Sequence, residues 1–231
     1  GKTSLIEQTL KELSKQSPPV PSIVIDLNVV YDAESLAQRL RSGVAELAMS
    51  FVPKGEKTPE RLLQAFKKLD VRFSRKAGPA SLKIPKSKDE VAGIKDLLKG
   101  LDRAARAYKK RAVVVLDEFQ QVQGLQFGNT KMTIEGEIKK AVEGSNNVSY
   151  IFCGSQRHLL AQMFEKGDRS LVRKCDKIEL KRISRLDYKQ YIGRAARSNW
   201  KKALDTDVID HILDLTYRHP YYVNALCRRL W

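Results

Sequence analysis

The chain has 231 residues, of which 42% are apolar and 30% charged, and it carries a net charge of +16. These values exclude a disordered chain and allow one large α/β domain, or a core with a small appended domain. No apolar run is long enough to span a bilayer, and the first residues lack the pattern of a secretory signal, so a cytoplasmic protein is expected. Three widely separated cysteines argue against a disulfide framework or a zinc site.

The positive charge is concentrated in two basic tracts. Residues 51–110 contain 17 Lys/Arg against 7 Asp/Glu, and residues 166–202 contain 13 against 4. Such clusters attract DNA or other polyanions through a field that decays over about 10 Å at ordinary salt. They also occur as ordinary solvated helix faces, and the sequence leaves both interpretations open. Because few aromatic residues lie among the lysines, any bound nucleic acid would be held through its phosphates with little base specificity.

The first half of the chain alternates helical patterns with a short apolar run, which favours a parallel sheet. Asp32 and Ser35 are candidate N-caps for the second helix. The expected elements are a helix after residues 1–4 that ends before Pro18, with Leu5, Ile6, Leu10 and Leu13 inward; a strand over 22–27; a helix ending before Pro53; and, over 70–88, a basic hairpin or a mobile loop.

The second half is expected to contain the centre of the sheet, because the unbroken apolar run at residues 112–116 suits a strand that is covered on both faces. The last three helical patterns predict a small helical lid, so the expected division is a core over residues 1–183 and a lid over residues 184–231. The elements predicted are helices over 91–108 and 133–142, strands over 112–116, 148–153 and 177–180, and helices near 187–197, 206–216 and 220–230.

The tetrapeptide Gly1-Lys2-Thr3-Ser4 matches the end of the Walker A pattern and opens a helix whose N-terminal N–H groups would face a phosphate. In that role Lys2 would reach the β- and γ-phosphates of ATP, and Thr3 would bind Mg²⁺. The tetrapeptide alone is a weak signal. The preceding part of the pattern is absent, so we expect the natural polypeptide to continue upstream with an apolar strand and a glycine-rich turn.

A second motif follows somewhat more than 100 residues later, where the apolar run ends in Asp117-Glu118. Ligands of parallel α/β sheets bind at the carboxyl ends of strands. There, an Asp can hold Mg²⁺ and an adjacent Glu can polarise an attacking water, which are the properties of a Walker B motif. The alternative is a strand that ends in a solvated acidic turn. The order and spacing of the two motifs favour the first interpretation.

Three segments resemble archaeal-type ATPases of the AAA+/STAND group, relatives of the origin-recognition ATPases. They are residues 114–120 (VVLDEFQ), residues 150–155 (YIFCGS) and residues 218–222 (RHPYY), the last similar to a Gly-x-Pro-Tyr-Tyr lid motif. The resemblance covers nearly the whole chain. It implies a P-loop NTPase core with a five-stranded parallel sheet, whose first strand this chain lacks, and a C-terminal helical lid.

The resemblance also implies further site residues. Ser155 or Gln156 would be a sensor 1 group near the γ-phosphate, and His219 and Pro220 would approach the nucleotide from the lid. An arginine finger is expected shortly before the last core strand, where Arg173 is preferred to Arg169. Arg218 stands where the family usually has glycine, which puts the lid geometry in question.

Two hypotheses for function follow. The first is a switch or motor that binds MgATP and hydrolyses it, changing the lid position with nucleotide state. The second is a non-hydrolytic P-loop scaffold that presents the basic tracts to nucleic acid. The acidic pair at Asp117 and Glu118 favours the first hypothesis, because a scaffold has no chemical need for it. The sequence leaves self-association and protein partners open.

Overall fold

The computed structural model describes residues 1–56, 59–74, 81–85, 90–126, 133–165 and 175–230. The chain divides into two compact units. One unit is Ile6–Asp176, and the other combines Gly1–Leu5 with Lys177–Trp231. The predicted division between residues 183 and 184 stays a prediction.

The described elements are mainly helices, with one three-stranded and one two-stranded sheet. No helix in the described parts of the chain combines the length and the apolar character that crossing a bilayer requires. In chain order, the elements are α1 (Lys2–Ser14), β1 (Ser22–Asp26), α2 (Ala33–Ser50), α3 (Glu60–Ala65), β2 (Arg72–Ser74), β3 (Ser81–Lys83), α4 (Glu90–Ala107), β4 (Ala112–Asp117), a 3₁₀ turn (Phe119–Val122), α5 (Ile134–Glu143), β5 (Val148–Phe152), α6 (Arg157–Glu165), α7 (Arg185–Trp200), α8 (Thr206–Leu215) and α9 (Pro220–Leu230).

The main sheet in the described residues has three parallel strands in the order β1-β4-β5. All six residues of β4 are buried, as expected for a central strand rich in valine. The register pairs Asp26 with Asp117 and Leu116 with Phe152, so the carboxyl ends of all three strands lie at one edge. The apolar runs at 22–27, 112–116 and 148–153 are therefore strands, as predicted.

The two faces of this sheet are packed to different extents. Helices α2, α4 and α5 contribute fully buried side chains to the larger core on one face, including Leu40, Leu101 and Ile138. On the other face α1 covers Val113 and Val115 with half-buried side chains at Ile6, Leu10 and Leu13. The prediction that Leu5 also faces inward is wrong, because its side chain is 50% exposed.

Helix α2 begins at a capping box. The Asp32 carboxylate accepts a hydrogen bond from the Ser35 backbone N–H at 2.7 Å, and the Ser35 hydroxyl accepts one from the Asp32 N–H at 3.2 Å. These bonds satisfy N–H groups that the first helical turn leaves without partners. They also hold the pKa of Asp32 below its usual value, chiefly through the Ser35 N–H. Both predicted cap residues thus act together.

Asp102, on α4, fixes the loop that leads into β5. Its carboxylate Oδ1 accepts hydrogen bonds from the backbone N–H groups of Asn146 at 3.0 Å, Asn147 at 2.7 Å and Val148 at 3.3 Å. The Ser145 hydroxyl donates to the same oxygen at 2.9 Å. Burial alone would raise the pKa of Asp102, but these bonds outweigh it and the pKa is lowered.

Two predictions outside the main sheet have opposite outcomes. For residues 70–88 the sequence left a hairpin and a mobile loop as alternatives. Strands β2 and β3 pair antiparallel, so the hairpin is the correct one. No strand is present at residues 177–180, where one was predicted and where Ile178 and Leu180 alternate with charged residues. Ile178 is 81% exposed and Leu180 is 40% exposed. The alternation therefore has no core to face, and period-two hydrophobicity alone does not make a strand.

Helices α7, α8 and α9 share a small core of their own. Arg185, at the start of α7, pairs with Asp210 and Asp214 on α8, and Lys189 pairs with Asp210 at 2.7 Å. These pairs tie the first two helices together along their exposed side. The buried core residues are Tyr188, Ile192, Ile209, Ile212, Leu213, Val223 and Cys227.

Candidate functional site

Polar side chains collect at the carboxyl edge of the sheet. Asp26 and Asp117 end two paired strands, and Ser155 follows the third strand by three residues. Asp117 is 8% exposed, and its Oδ1 accepts the Glu118 backbone N–H at 3.0 Å. The sequence interpretation did not single out Asp26. Asp26 is identified by the structure, because it ends the neighbouring strand in register with Asp117.

The Glu118 backbone turns the chain out of β4. Its φ of 54° and ψ of 43° are left-handed, a conformation uncommon for residues other than glycine. The turn leads into the 3₁₀ helix, and the Phe119 N–H donates to the Cys153 carbonyl at 2.7 Å, which continues the pairing with β5 beyond its end. The conformation thus separates the two acidic residues, leaving Asp117 in the sheet and Glu118 outside it.

The Glu118 carboxylate lies against the loop after β5. Its Oε2 accepts hydrogen bonds from the Ser155 hydroxyl at 2.7 Å, the Ser155 backbone N–H at 3.2 Å and the Gln120 side-chain amide at 2.5 Å. The predicted base and the predicted sensor residue are therefore in direct contact. Gln156, the alternative sensor residue, accepts the Leu160 N–H with its backbone carbonyl at 3.1 Å as α6 begins.

Gln120 is a site residue that the sequence interpretation missed. It is 5% exposed and its Oε1 finds no hydrogen-bond partner among the described residues. A Cβ at Gly154 would collide with that oxygen and with Leu160. Gly154 is therefore needed for close packing, which lets the Gln120 amide reach Glu118. Gln120 was part of the quoted motif, but its role depends on a neighbour 34 positions away.

Residues of the Walker A tetrapeptide form the first turn of α1. The helix begins at Lys2, and the Leu5 N–H donates to the Gly1 carbonyl at 3.1 Å. The N–H groups of Lys2, Thr3 and Ser4 precede the first intrahelical bond, so their positive dipole end suits an anion. These residues belong to the same compact unit as α7–α9.

Before α9 the backbone turns through two left-handed residues, Tyr217 with a φ of 48° and Arg218 with a φ of 54°. Arg218 occupies the position where the similar family has glycine, and its positive φ explains why glycine suits that position. His219 and Pro220 follow, with the His219 carbonyl accepting the Val223 N–H at 2.9 Å as α9 begins. The His219 Nδ1 is buried and has no hydrogen-bond partner among the described residues.

Arg169 and Arg173, the predicted candidates for an arginine finger, lie outside the described residues. Among the described residues no group of three or more His, Cys, Asp or Glu side chains is arranged to hold a metal ion. Mg²⁺ does not need such a cage, because it commonly binds one or two protein oxygens together with phosphates and water. The assignment of Thr3 and Asp117 as its ligands stays a prediction.

Comparison with solved structures shows what this fold resembles. The chain is similar to a Walker-type ATPase of Pyrococcus abyssi, with a TM-score of 0.54 and 16% sequence identity, over 93% of this chain. The chain has the fold of a Walker-type ATPase. It spans 55% of the length of that protein. No family model and no curated protein sequence matches it.

This likeness supports the predicted P-loop fold, with parallel strands and an acidic pair at the end of the central strand. The likeness does not support a specific function, because at 16% identity a structural match shows the fold alone. The assignment to the AAA+/STAND group and the five-stranded sheet stay predictions, since the described residues contain three parallel strands. The roles of the individual site residues also stay predictions.

Proposed function

We propose that the chain binds MgATP and hydrolyses it as a switch or motor domain of the AAA+/STAND type. The observation that carries this proposal is the acidic pair at the carboxyl end of β4, with Glu118 hydrogen-bonded to Ser155 beyond the neighbouring strand. Carboxyl ends of parallel strands are where nucleotides bind in this class of sheet. A P-loop scaffold without catalysis has no chemical need for two carboxylates at that position.

Nucleotide binding would use the start of α1. The backbone N–H groups of the first turn and the Lys2 ammonium would hold the phosphates, and the Thr3 hydroxyl with the Asp117 carboxylate would hold Mg²⁺. When bound, Mg²⁺ neutralises charge that develops on the phosphate oxygens. His219 and Pro220 would contact the nucleotide as well. Support for that role comes from their position in the same compact unit as Gly1, Lys2, Thr3 and Ser4.

Hydrolysis would depend on Glu118, which we assign to orient and polarise the attacking water. In the described conformation Glu118 Oε2 accepts three hydrogen bonds. These three donors occupy the oxygen that would accept a proton from the attacking water. The described arrangement is therefore a resting one. Turnover requires the Ser155 hydroxyl to exchange Glu118 for another acceptor, and the γ-phosphate is the acceptor that a sensor residue would take.

An arginine finger would complete the site by stabilising charge in the transition state. We assign this role to Arg173, ahead of Arg169. The finger would act within this chain or on a neighbouring subunit, which is the route by which self-association would affect activity.

The binding step is tested by thermal unfolding of the whole chain with and without MgATP. A ligand at 100 times its dissociation constant stabilises the native state by about 2.7 kcal/mol. We expect that stabilisation for the parent chain and a large loss of it for Lys2→Ala and Asp117→Asn, because both remove ground-state contacts to phosphate or metal. Lys11→Ala is the matched control, since Lys11 is an exposed lysine on the same helix. No stabilisation of the parent chain by MgATP would refute the proposal.

A further inference from the structure

A cleft between α3 and α4 is separate from the residues discussed so far. Its volume is about 430 Å³, and the guanidinium groups of Arg61, Arg103 and Arg106 line it together with Glu60 and Gln64. The other two lining residues are alanines. The lining therefore contains three cations and one carboxylate. We call it the α3–α4 cleft.

None of the three arginines forms an ion pair within the described residues. Three cations beside a single carboxylate leave the cleft with a net positive charge, and a bound anion lowers the repulsion among the arginines. The net positive charge of the α3–α4 cleft therefore favours the binding of an anionic partner.

Arg103 is the most constrained of the three. Its Nε donates to the Ala65 carbonyl at the end of α3, at 2.8 Å, which fixes the plane of the guanidinium. Its Nη2 is buried and finds no hydrogen-bond acceptor in the described parts of the chain. A buried donor without an acceptor is unfavourable, and a ligand oxygen beside it supplies the missing bond. Because the group is already oriented, little side-chain entropy remains to be lost on binding.

The cleft lies at the opposite end of β4 from the acidic pair. Arg103 and Arg106 are in the last two turns of α4, and a short connection leads from Ala107 to the start of β4 at Ala112. A strand of six residues spans about 17 Å, at about 3.3 Å per residue. A ligand in the α3–α4 cleft is therefore distinct from a nucleotide held at Asp117 and Glu118.

We propose that the α3–α4 cleft binds the phosphate backbone of double-stranded nucleic acid. Arginine matches phosphate oxygens with its planar pair of donors, and phosphate contacts supply most of the non-specific affinity for a duplex. Single strands are bound largely by stacking on aromatic side chains, and none of the described residues that line the cleft is aromatic. The cleft belongs to the basic tract 51–110, whose 17 Lys/Arg against 7 Asp/Glu attract a long polyanion.

The test measures binding of a fluorescently labelled duplex DNA of 30 base pairs to the whole chain, over a range of salt concentrations and without nucleotide. The double variant Arg61→Gln/Arg106→Gln removes two exposed guanidinium groups from the cleft and leaves Arg103 in place. The control Lys11→Gln/Arg228→Gln removes the same charge from exposed positions on α1 and α9. Circular dichroism confirms that both double variants are folded.

For the cleft variant we expect an affinity loss of about tenfold or more, and a fall of about 1.8 in the slope of log affinity against log salt, since each phosphate contact contributes about 0.9. The control should lose less than about threefold, because it weakens only the summed field. Equal losses in both double variants overturn the proposal. So does displacement of the DNA by inorganic phosphate at matched phosphate concentration, which indicates a site for an isolated anion, or by polyglutamate at matched charge, which indicates an acidic protein partner.

Asp117→Asn should leave DNA binding unchanged. The DNA measurement is thus independent of the proposed ATPase activity, and either proposal can fail without the other. If Asp117→Asn weakens DNA binding as much as the cleft variant does, the two sites are not separate and the proposal is wrong.

Discussion

Two carboxylates at opposite ends of the sheet are both multiply hydrogen-bonded, but by different kinds of donor. Asp102, near the amino end of β5, accepts three backbone N–H groups, the Ser145 hydroxyl and the Asn147 side-chain amide. Glu118, at the carboxyl end of β4, accepts two side-chain donors and one backbone N–H. Backbone donors move only when the loop moves, whereas a hydroxyl or an amide can change partner by rotating a side chain.

The difference separates a carboxylate that holds the fold from one that can act. Asp102 is fixed because releasing it would leave several N–H groups of the loop without an acceptor. Glu118 keeps its charge near Ser155 and Gln120 but can exchange both side-chain donors without unfolding anything. The number of backbone donors, three for Asp102 and one for Glu118, distinguishes the two residues.

The largest effect is expected at Glu118. Glu118→Gln keeps the size of the side chain but removes the charge that draws a proton from water. Turnover should fall by roughly 100-fold or more, the scale of general-base catalysis, while ATP still binds. The comparison needs a binding isotherm and a turnover rate for each variant. Hydrolysis at the parent rate would show that Glu118 is not the base, and the Walker B interpretation would then reduce to a metal site at Asp117.

Removing the other carboxylate should affect stability instead. Asp102→Ala leaves the N–H groups of Asn146, Asn147 and Val148 without their charged acceptor. Hydrogen bonds to charged groups contribute about 1.5–3 kcal/mol each, but water can replace part of this at a partly exposed site, so a loss of about 2 kcal/mol is expected. Urea unfolding measures the loss. ATP affinity should be unchanged once the variant is folded, and a fall in affinity would contradict the separation of the two roles.

A matched pair of serines sharpens the same comparison. Ser155 donates to Glu118 and Ser145 donates to Asp102, at 2.7 Å and 2.9 Å. Ser155→Ala should lower turnover by about tenfold or more, the equivalent of one hydrogen bond to a charged group, with little change in stability. Ser145→Ala should lower stability by about 1 kcal/mol with no change in turnover. If both variants change the same quantity, the distinction between the two carboxylates fails.

The free energy of unfolding should fall more steeply at low pH in the parent chain than in Asp102→Ala. The folded-state pKa of Asp102 lies below its usual value. Its contribution is therefore complete above the unfolded-state pKa of about 3.9 and is lost as pH falls through the folded-state value. Urea unfolding at several pH values should show the stability difference between the two proteins shrinking below about pH 4. A difference that stays constant to lower pH would argue against a lowered pKa at Asp102.

The central part of the fold could be predicted from the sequence because its signals are local. A continuous apolar run is a local signal for a strand of a parallel sheet, so β4 and its two neighbours were predictable, and so was the acidic pair that ends β4. Asp32 and Ser35 are three residues apart, and their cap needs no information from elsewhere in the chain. The same holds for the helices α7, α8 and α9, whose apolar residues recur at helical spacing.

What could not be predicted depends on contacts between distant residues. The strand expected at residues 177–180 failed because the alternating pattern does not say whether a core is present for Ile178 to face. Asp26 became a site residue only through its register with Asp117, and Gln120 only through the space beside Gly154. Helices α3 and α6 were also missed. They have 6 and 9 residues, too few for their apolar spacing to stand out.

Gly154 has no side chain, and the close packing of Gln120 and Leu160 against it limits which substitutions this site tolerates during evolution. A methyl group there would overlap both Gln120 and Leu160, so no single substitution at Gly154 is tolerated without movement of one or both. The three positions should therefore vary together. In related chains, alanine or serine at position 154 is expected only where positions 120 and 160 carry shorter side chains. A library randomised at these three positions should recover folded members mainly as compensated combinations, with few single changes at 154 among them.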